Sequence, residues 1–106
     1  MLTKKLLAVP LLALAFTATA QAFSPPDTTD QQIITGEGHQ VTATWRSTEP
    51  SHFHCWLSGK RRLPCAPPYH LDGLAPGSYE LHVRAFGNES GLYDKSPAIG
   101  TFRIAP

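Results

Sequence analysis

The sequence predicts an all-β protein, an antiparallel β-sandwich with one disulfide. Three observations carry that expectation. Short segments alternate apolar and polar residues, turn-forming residues separate them, and no run of ten residues has the 3.6-residue period of a helix. Two cysteines, Cys55 and Cys65, supply the staple.

The first segment is read apart from the domain. Lys4 and Lys5 precede the apolar run LLAVPLLALAFTATA, and Ala20-Gln21-Ala22 has the small-x-small pattern of a cleavage site, so residues 1–22 are expected to be a signal peptide. The run is shorter than the roughly 20 residues a membrane span needs, and no stable membrane insertion is expected after cleavage. Removing residues 1–22 from 106 leaves 84, enough for one domain. It also removes Lys4 and Lys5 but no acids, so nine basic residues become seven against eight acidic, a formal net charge of −1. Such a balance argues against a dedicated nucleic-acid or polybasic membrane binder.

The remaining elements follow in order. Residues 23–38, opening FSPPDTTDQQ, are expected to be a flexible leader with a possible first edge strand, and residues 39–106 the domain itself. Val41, Ala43 and Trp45 alternate with polar neighbours as a half-buried strand does. Ser47 to Ser51 turn the chain around Pro50. Phe53, Cys55 and Leu57 then share one strand face, with His52, His54 and Trp56 on the other. Ser58-Gly59-Lys60 reverses direction, so that Arg62 to Cys65 return as a hairpin. Ala66-Pro67-Pro68 stops the strand, Tyr69 to Leu71 form a short one, and Asp72-Gly73 turn. In SYELHVRAF, Tyr79, Leu81, Val83 and Ala85 point one way and Ser78, Glu80, His82 and Arg84 the other. GNESG is a loop, and Gly100 to Ile104 close the domain with Phe102 and Ile104 inward.

A domain this small buries only about 60% of its unfolded surface, so a covalent staple matters. In an exported chain two cysteines read first as a disulfide. Closing the loop between Cys55 and Cys65 is worth about 2–3 kcal/mol by the chain-entropy account. Nine residues intervene and no helix start is predicted beside them, which argues against a reactive dithiol.

The run FHCWLSGKRRLPCAPPYHLDGLAPGSYELHVRAF resembles the immunoglobulin-like, fibronectin-type-III-like domains of bacterial exported and surface proteins. Phe53, Cys55, Leu57, Gly59, Cys65, Pro68, Leu74, Gly77, Tyr79, Leu81, Val83, Arg84, Ala85, Gly87, Asn88, Pro97 and Phe102 fall on that pattern in order. Ser58 stands where those domains often have Asp, and the hairpin tip Lys60-Arg61-Arg62 is basic. The resemblance implies an immunoglobulin-like β-sandwich with binding or spacing work and no catalytic residues to carry over. The signal peptide leads to a periplasmic or secreted location, and no cofactor is expected.

With that fold, the outward residues of neighbouring strands form one candidate binding face: His52, His54, Trp56, Glu80, His82, Arg84 and Arg103. Trp and Arg are enriched at interface hot spots, and Trp56 could anchor a protein or glycan partner. Arg84 is expected to pair Glu80 and pack over Trp56. The metal alternative uses His52, His54 and His82, since imidazole suits zinc, copper or nickel. A third reading is a subunit of an envelope assembly that pairs through its leader or an edge strand. No Ser, His and carboxylate set has recognisable spacing, no glycine-rich phosphate loop is present, and no paired carboxylates stand out, so no catalysis is expected.

Overall fold

Where apolar residues recur at every second position, one side of each strand must leave water, and two such sheets placed face to face satisfy each other. The computed structural model describes residues 23–106 and takes this form; the expected signal peptide, residues 1–22, lies outside the described residues. Seven strands are formed: β1 Thr28–Thr35, β2 Val41–Ser47, β3 Ser51–Leu57, β4 Leu63–Cys65, β5 Tyr69–Leu71, β6 Gly77–Gly87 and β7 Ala98–Ile104. One 3-10 turn, Glu37–His39, joins β1 to β2. The strands make a three-stranded sheet, β1-β2-β5, and a four-stranded sheet, β4-β3-β6-β7, with every pairing antiparallel.

Between the sheets lies the core. Ala43 and Trp45 of the first sheet meet Cys55, Leu81 and Val83 of the second, with Ile33, Tyr69, Phe53, Leu57 and Phe102 around them. Trp45 is wedged edge-on against Phe53 and Tyr69, at 5.6 and 6.4 Å between ring centroids. Tyr79 stacks on Phe102 at 5.3 Å, and its hydroxyl donates to the Ala75 carbonyl at 2.6 Å, fastening the entry of β6. The disulfide joins Cys55 to Cys65 on adjacent strands, with Cα atoms 5.8 Å apart. It staples one hairpin of the four-stranded sheet rather than one sheet to the other.

Residues 28–35, inside the expected leader, form a full strand. β1 runs along the outer edge of its sheet, and Pro26 before it is buried. An edge strand needs few apolar residues because half its surroundings are water, which is why TTDQQIIT carries little alternation. A β-bulge breaks the pattern further. Thr29 pairs with Arg46 and Gln32 with Thr44, leaving Asp30 and Gln31 opposite the single residue Trp45. Asp30 takes φ 55°, a left-handed conformation that Asp tolerates better than most residues.

Two contacts hold β1 onto the far sheet. Gln31 and Ile33 lie over Gly100 of β7 so closely that a Cβ there would sit 2.5 Å from Ile33 Cδ1 and 2.7 Å from Gln31 Oε1. Asp94, 1% exposed in the loop between β6 and β7, accepts the Thr28 backbone N–H at 2.9 Å through Oδ2 and the Ser96 N–H at 2.8 Å through Oδ1. Its own N–H donates to Ala85 at 2.9 Å. A buried carboxylate is tolerated when backbone donors surround it, and here they come from both sheets' ends.

Candidate binding face

β3 and β6 pair residue by residue, which fixes the outward surface of the four-stranded sheet. His52 faces Phe86, His54 faces Arg84, and Trp56 faces His82. On the other side of β6, His82 faces Ile99, Glu80 faces Thr101, and Ser78 faces Arg103. Pro64 of β4 lies opposite His54. Cross-strand partners share a sheet face, so His52, His54, Trp56, Glu80, His82, Arg84 and Arg103 all occupy one surface.

That surface is packed against itself. His52 stacks on Phe86 with centroids 5.3 Å apart and planes 13° from parallel, while His54 meets Phe86 edge-on at 5.0 Å. Trp56 stacks on His82 at 5.0 Å and 14°. The Arg62 guanidinium, from the hairpin tip, stands 4.8 Å from the Trp56 ring centroid. Arg84 lies between two aromatics, 5.6 Å from Trp56 and 5.0 Å from Tyr93. Its Nε is buried without a hydrogen-bond partner among the described residues, so this arginine is held mainly by ring faces. Phe86 and Tyr93 close the row at 5.9 Å.

Glu80 does not pair with Arg84. Its carboxylate accepts from the Ser58 hydroxyl at 2.8 Å and lies 3.4 Å from His82 Nε2. Residues two apart on a strand are about 6.6 Å from each other and residues four apart about 13 Å. His82 is therefore within Glu80's reach and Arg84 is not. Ser58, a turn residue at the position where the resembled domains often have Asp, also lies 3.0 Å from His82 Nε2 and completes a three-residue network. This cluster is not a nucleophile relay. A relay needs the acid on the imidazole nitrogen remote from the hydroxyl, whereas Glu80 and Ser58 meet the same Nε2.

The same register separates the three histidines of the metal reading. His82 sits beside Trp56, two positions along from His54 and four from His52. The His52 and His54 rings are 6.3 Å apart, His52 Nδ1 donates to Asn88 Oδ1 at 3.0 Å, and His82 is engaged by Ser58 and Glu80. Among the described residues no three His, Cys, Asp or Glu side chains gather in a way that could hold a metal ion.

Beside the Trp56 and His82 stack the face opens into a groove of about 570 Å³ lined by Ser58, Ser78, Glu80, Thr101 and Arg103, together with Tyr79 and Phe102. The turn that starts the basic hairpin forms its rim. There the Lys60 N–H donates to the Leu57 carbonyl at 2.8 Å, and Gly59 takes φ 79°, a value that suits a residue without Cβ. Among the described residues no helix is long and apolar enough to cross a membrane. No protein-family model, no curated protein and no solved structure matches this chain.

Proposed function

We propose that the protein is an exported, immunoglobulin-like module of the bacterial cell envelope that works without catalysis, binding a partner through the outer face of its four-stranded sheet. The observation that carries this reading is the continuous surface on which Trp56, three histidines, Arg62, Arg84 and Arg103 meet a hydroxyl-lined groove. Trp56 and Arg84 are half-buried before any partner arrives and so lose little freedom on binding, which favours their use as anchors.

Two features support the immunoglobulin-like part. A three-stranded sheet β1-β2-β5 facing a four-stranded sheet β4-β3-β6-β7 is the division expected of a fibronectin-type-III-like sandwich. The Tyr79 hydroxyl bonded back to Ala75 resembles the tyrosine corner of such domains. One feature departs from antibody domains: the disulfide lies within one sheet, where theirs spans two.

Retention of envelope components from the exporting host on the immobilised protein tests the reading. A defined component held by the native chain and lost on Trp56→Ala and Arg103→Glu, with each variant's unfolding transition kept cooperative, supports it. Equal retention by native and variant proteins overturns the assignment of this face.

A further inference from the structure

If the outer face of the four-stranded sheet is a binding surface, its charge narrows what it binds. Residues 23–106 carry seven Lys and Arg against eight Asp and Glu, close to balance, yet the basic residues gather on one of the two sheets. Arg46 alone among the basic residues belongs to the three-stranded sheet. Lys60, Arg61 and Arg62 at the β3–β4 turn, Arg84 on β6, Lys95 in the loop before β7, and Arg103 on β7 all belong to the other. Acids divide evenly. Asp27, Asp30, Glu37 and Asp72 lie on or beside the three-stranded sheet, while Glu80 and Glu89 are exposed on the four-stranded side, Glu49 is half-buried against Gly87 and Ser90, and Asp94 is buried before β7, so the four-stranded side carries six basic residues against four acids and the other side one against four. A domain with almost no net charge thereby presents one basic surface, which attracts anions over about a Debye length, roughly 8 Å at physiological salt.

The groove adds the second half of the argument. Ser58, Ser78 and Thr101 bring hydroxyls, Glu80 a carboxylate and Arg103 a guanidinium, a set able to donate to and accept from the hydroxyls of a sugar. It lies directly beside the Trp56 and His82 stack, since Ser58 and Glu80 bond to His82. Arg62 is exposed while standing over the indole, so an acidic group that engages Arg62 is brought against the Trp56 ring. A single-stranded nucleic acid would use successive open aromatic platforms. The aromatics of this row are already engaged by neighbours: His82 and Arg62 rest on Trp56, His52 on Phe86, and Arg84 on Tyr93.

We propose that this face binds an acidic polysaccharide, a chain of sugars bearing carboxylate or sulfate groups. The sugar hydroxyls meet the groove, and the acidic substituents meet Arg103 at one end and Arg62 over Trp56 at the other. The proposal deepens the binding-module reading and rests on it.

Titration of the protein with polygalacturonate, dextran sulfate, neutral dextran and single-stranded DNA, followed by tryptophan fluorescence, tests it. Trp45 is buried in the core, so a ligand-dependent signal is expected from Trp56 and should vanish in Trp56→Phe. Saturable binding of polygalacturonate or dextran sulfate, absent with neutral dextran, is the expected result, and whichever of the two binds tells carboxylate from sulfate. Arg103→Glu, at an exposed position, should weaken binding about tenfold or more, while Arg46→Glu on the opposite sheet should change it less than about twofold.

Equal loss in the Arg103 and Arg46 variants, or DNA binding as tight as that of the acidic polysaccharides, overturns the proposal in favour of unspecific polyanion attraction. If neither acidic polysaccharide binds while Trp56→Ala and Arg103→Glu still abolish retention of the envelope component, the ligand class is wrong and the face stands. If retention is also unaffected, both fall.

Discussion

Asp94→Ala should detach the first strand. The Asp94 carboxylate accepts the backbone N–H groups of Thr28 and Ser96 at 2.9 and 2.8 Å in a site where the residue is 1% exposed. Alanine leaves both donors without their acceptor. A hydrogen bond to a charged group contributes about 1.5 kcal/mol at the low end of its range, so the two together predict a loss of about 3 kcal/mol. For a domain of this size that corresponds to a fall of about 12–24 °C in the unfolding midpoint. Asp94→Asn keeps one acceptor and turns its amide toward one of the two donors, so its loss should be about half. The distinguishing readout is amide hydrogen exchange. Thr28 heads β1, while Ser96 lies in the same loop as Asp94, so the protection of residues 28–35 should drop further than that of β3 or β6. Thermal unfolding of the three proteins gives the order native, Asn, Ala. A loss below about 1 kcal/mol for the alanine variant, or unchanged protection across β1, would refute the idea that this carboxylate ties the sheets together.

Other consequences follow from the same packing. Replacing both cysteines by serine should cost about 2–3 kcal/mol in denaturant unfolding while leaving the β circular-dichroism signature intact, because the bridge closes a hairpin within one sheet. Gly100→Leu should cost about 1–3 kcal/mol by overpacking against Ile33 and Gln31, and pairing it with Ile33→Ala should return part of that loss in a double-mutant cycle. Tyr79→Phe removes the bond to the Ala75 carbonyl but keeps the stack on Phe102, so about 0.5–1.5 kcal/mol should be lost without a change in the denaturant slope.

The strands that face the core on one side were legible because burial imposes the two-residue period. Val41, Ala43 and Trp45, Phe53 to Leu57, and Tyr79 to Ala85 all announce themselves this way, and the opposite faces of the last two give the candidate surface its membership. β1 was harder to read. Its edge position removes the demand for apolar residues, and the bulge at Asp30 and Gln31 shifts the phase of those that remain. β7 also starts earlier than its alternation suggests. Ala98 and Gly100 are too small to register as core, yet they face inward, and Gly100 is small because Ile33 and Gln31 cover it. Within the candidate face, membership follows from alternation and partnership from register. Which residue Glu80 meets, and whether His82 reaches the other histidines, depends on distances along strands, and these favour His82 as Glu80's neighbour and keep His52 remote. Ser58 stood out in the sequence as a turn residue and as a departure from Asp, but its bonds to Glu80 and His82 gave no signal, since a turn serine becomes a network member only when β6 is laid beside it.

The bulge in β1 has a further effect at the margin of the fold. A straight eight-residue strand at a sheet edge exposes a regular row of backbone donors and acceptors to which the same strand of another molecule can add, and Ile34, 64% exposed, would make such an addition adhesive. With Asp30 turned to φ 55° and a charge placed at the kink, the row is broken into two short pieces out of register with each other. The irregularity that blurred the strand in the sequence also serves as insulation against fibril growth, and a chain with Asp30 deleted should polymerise at concentrations where the native chain stays dispersed.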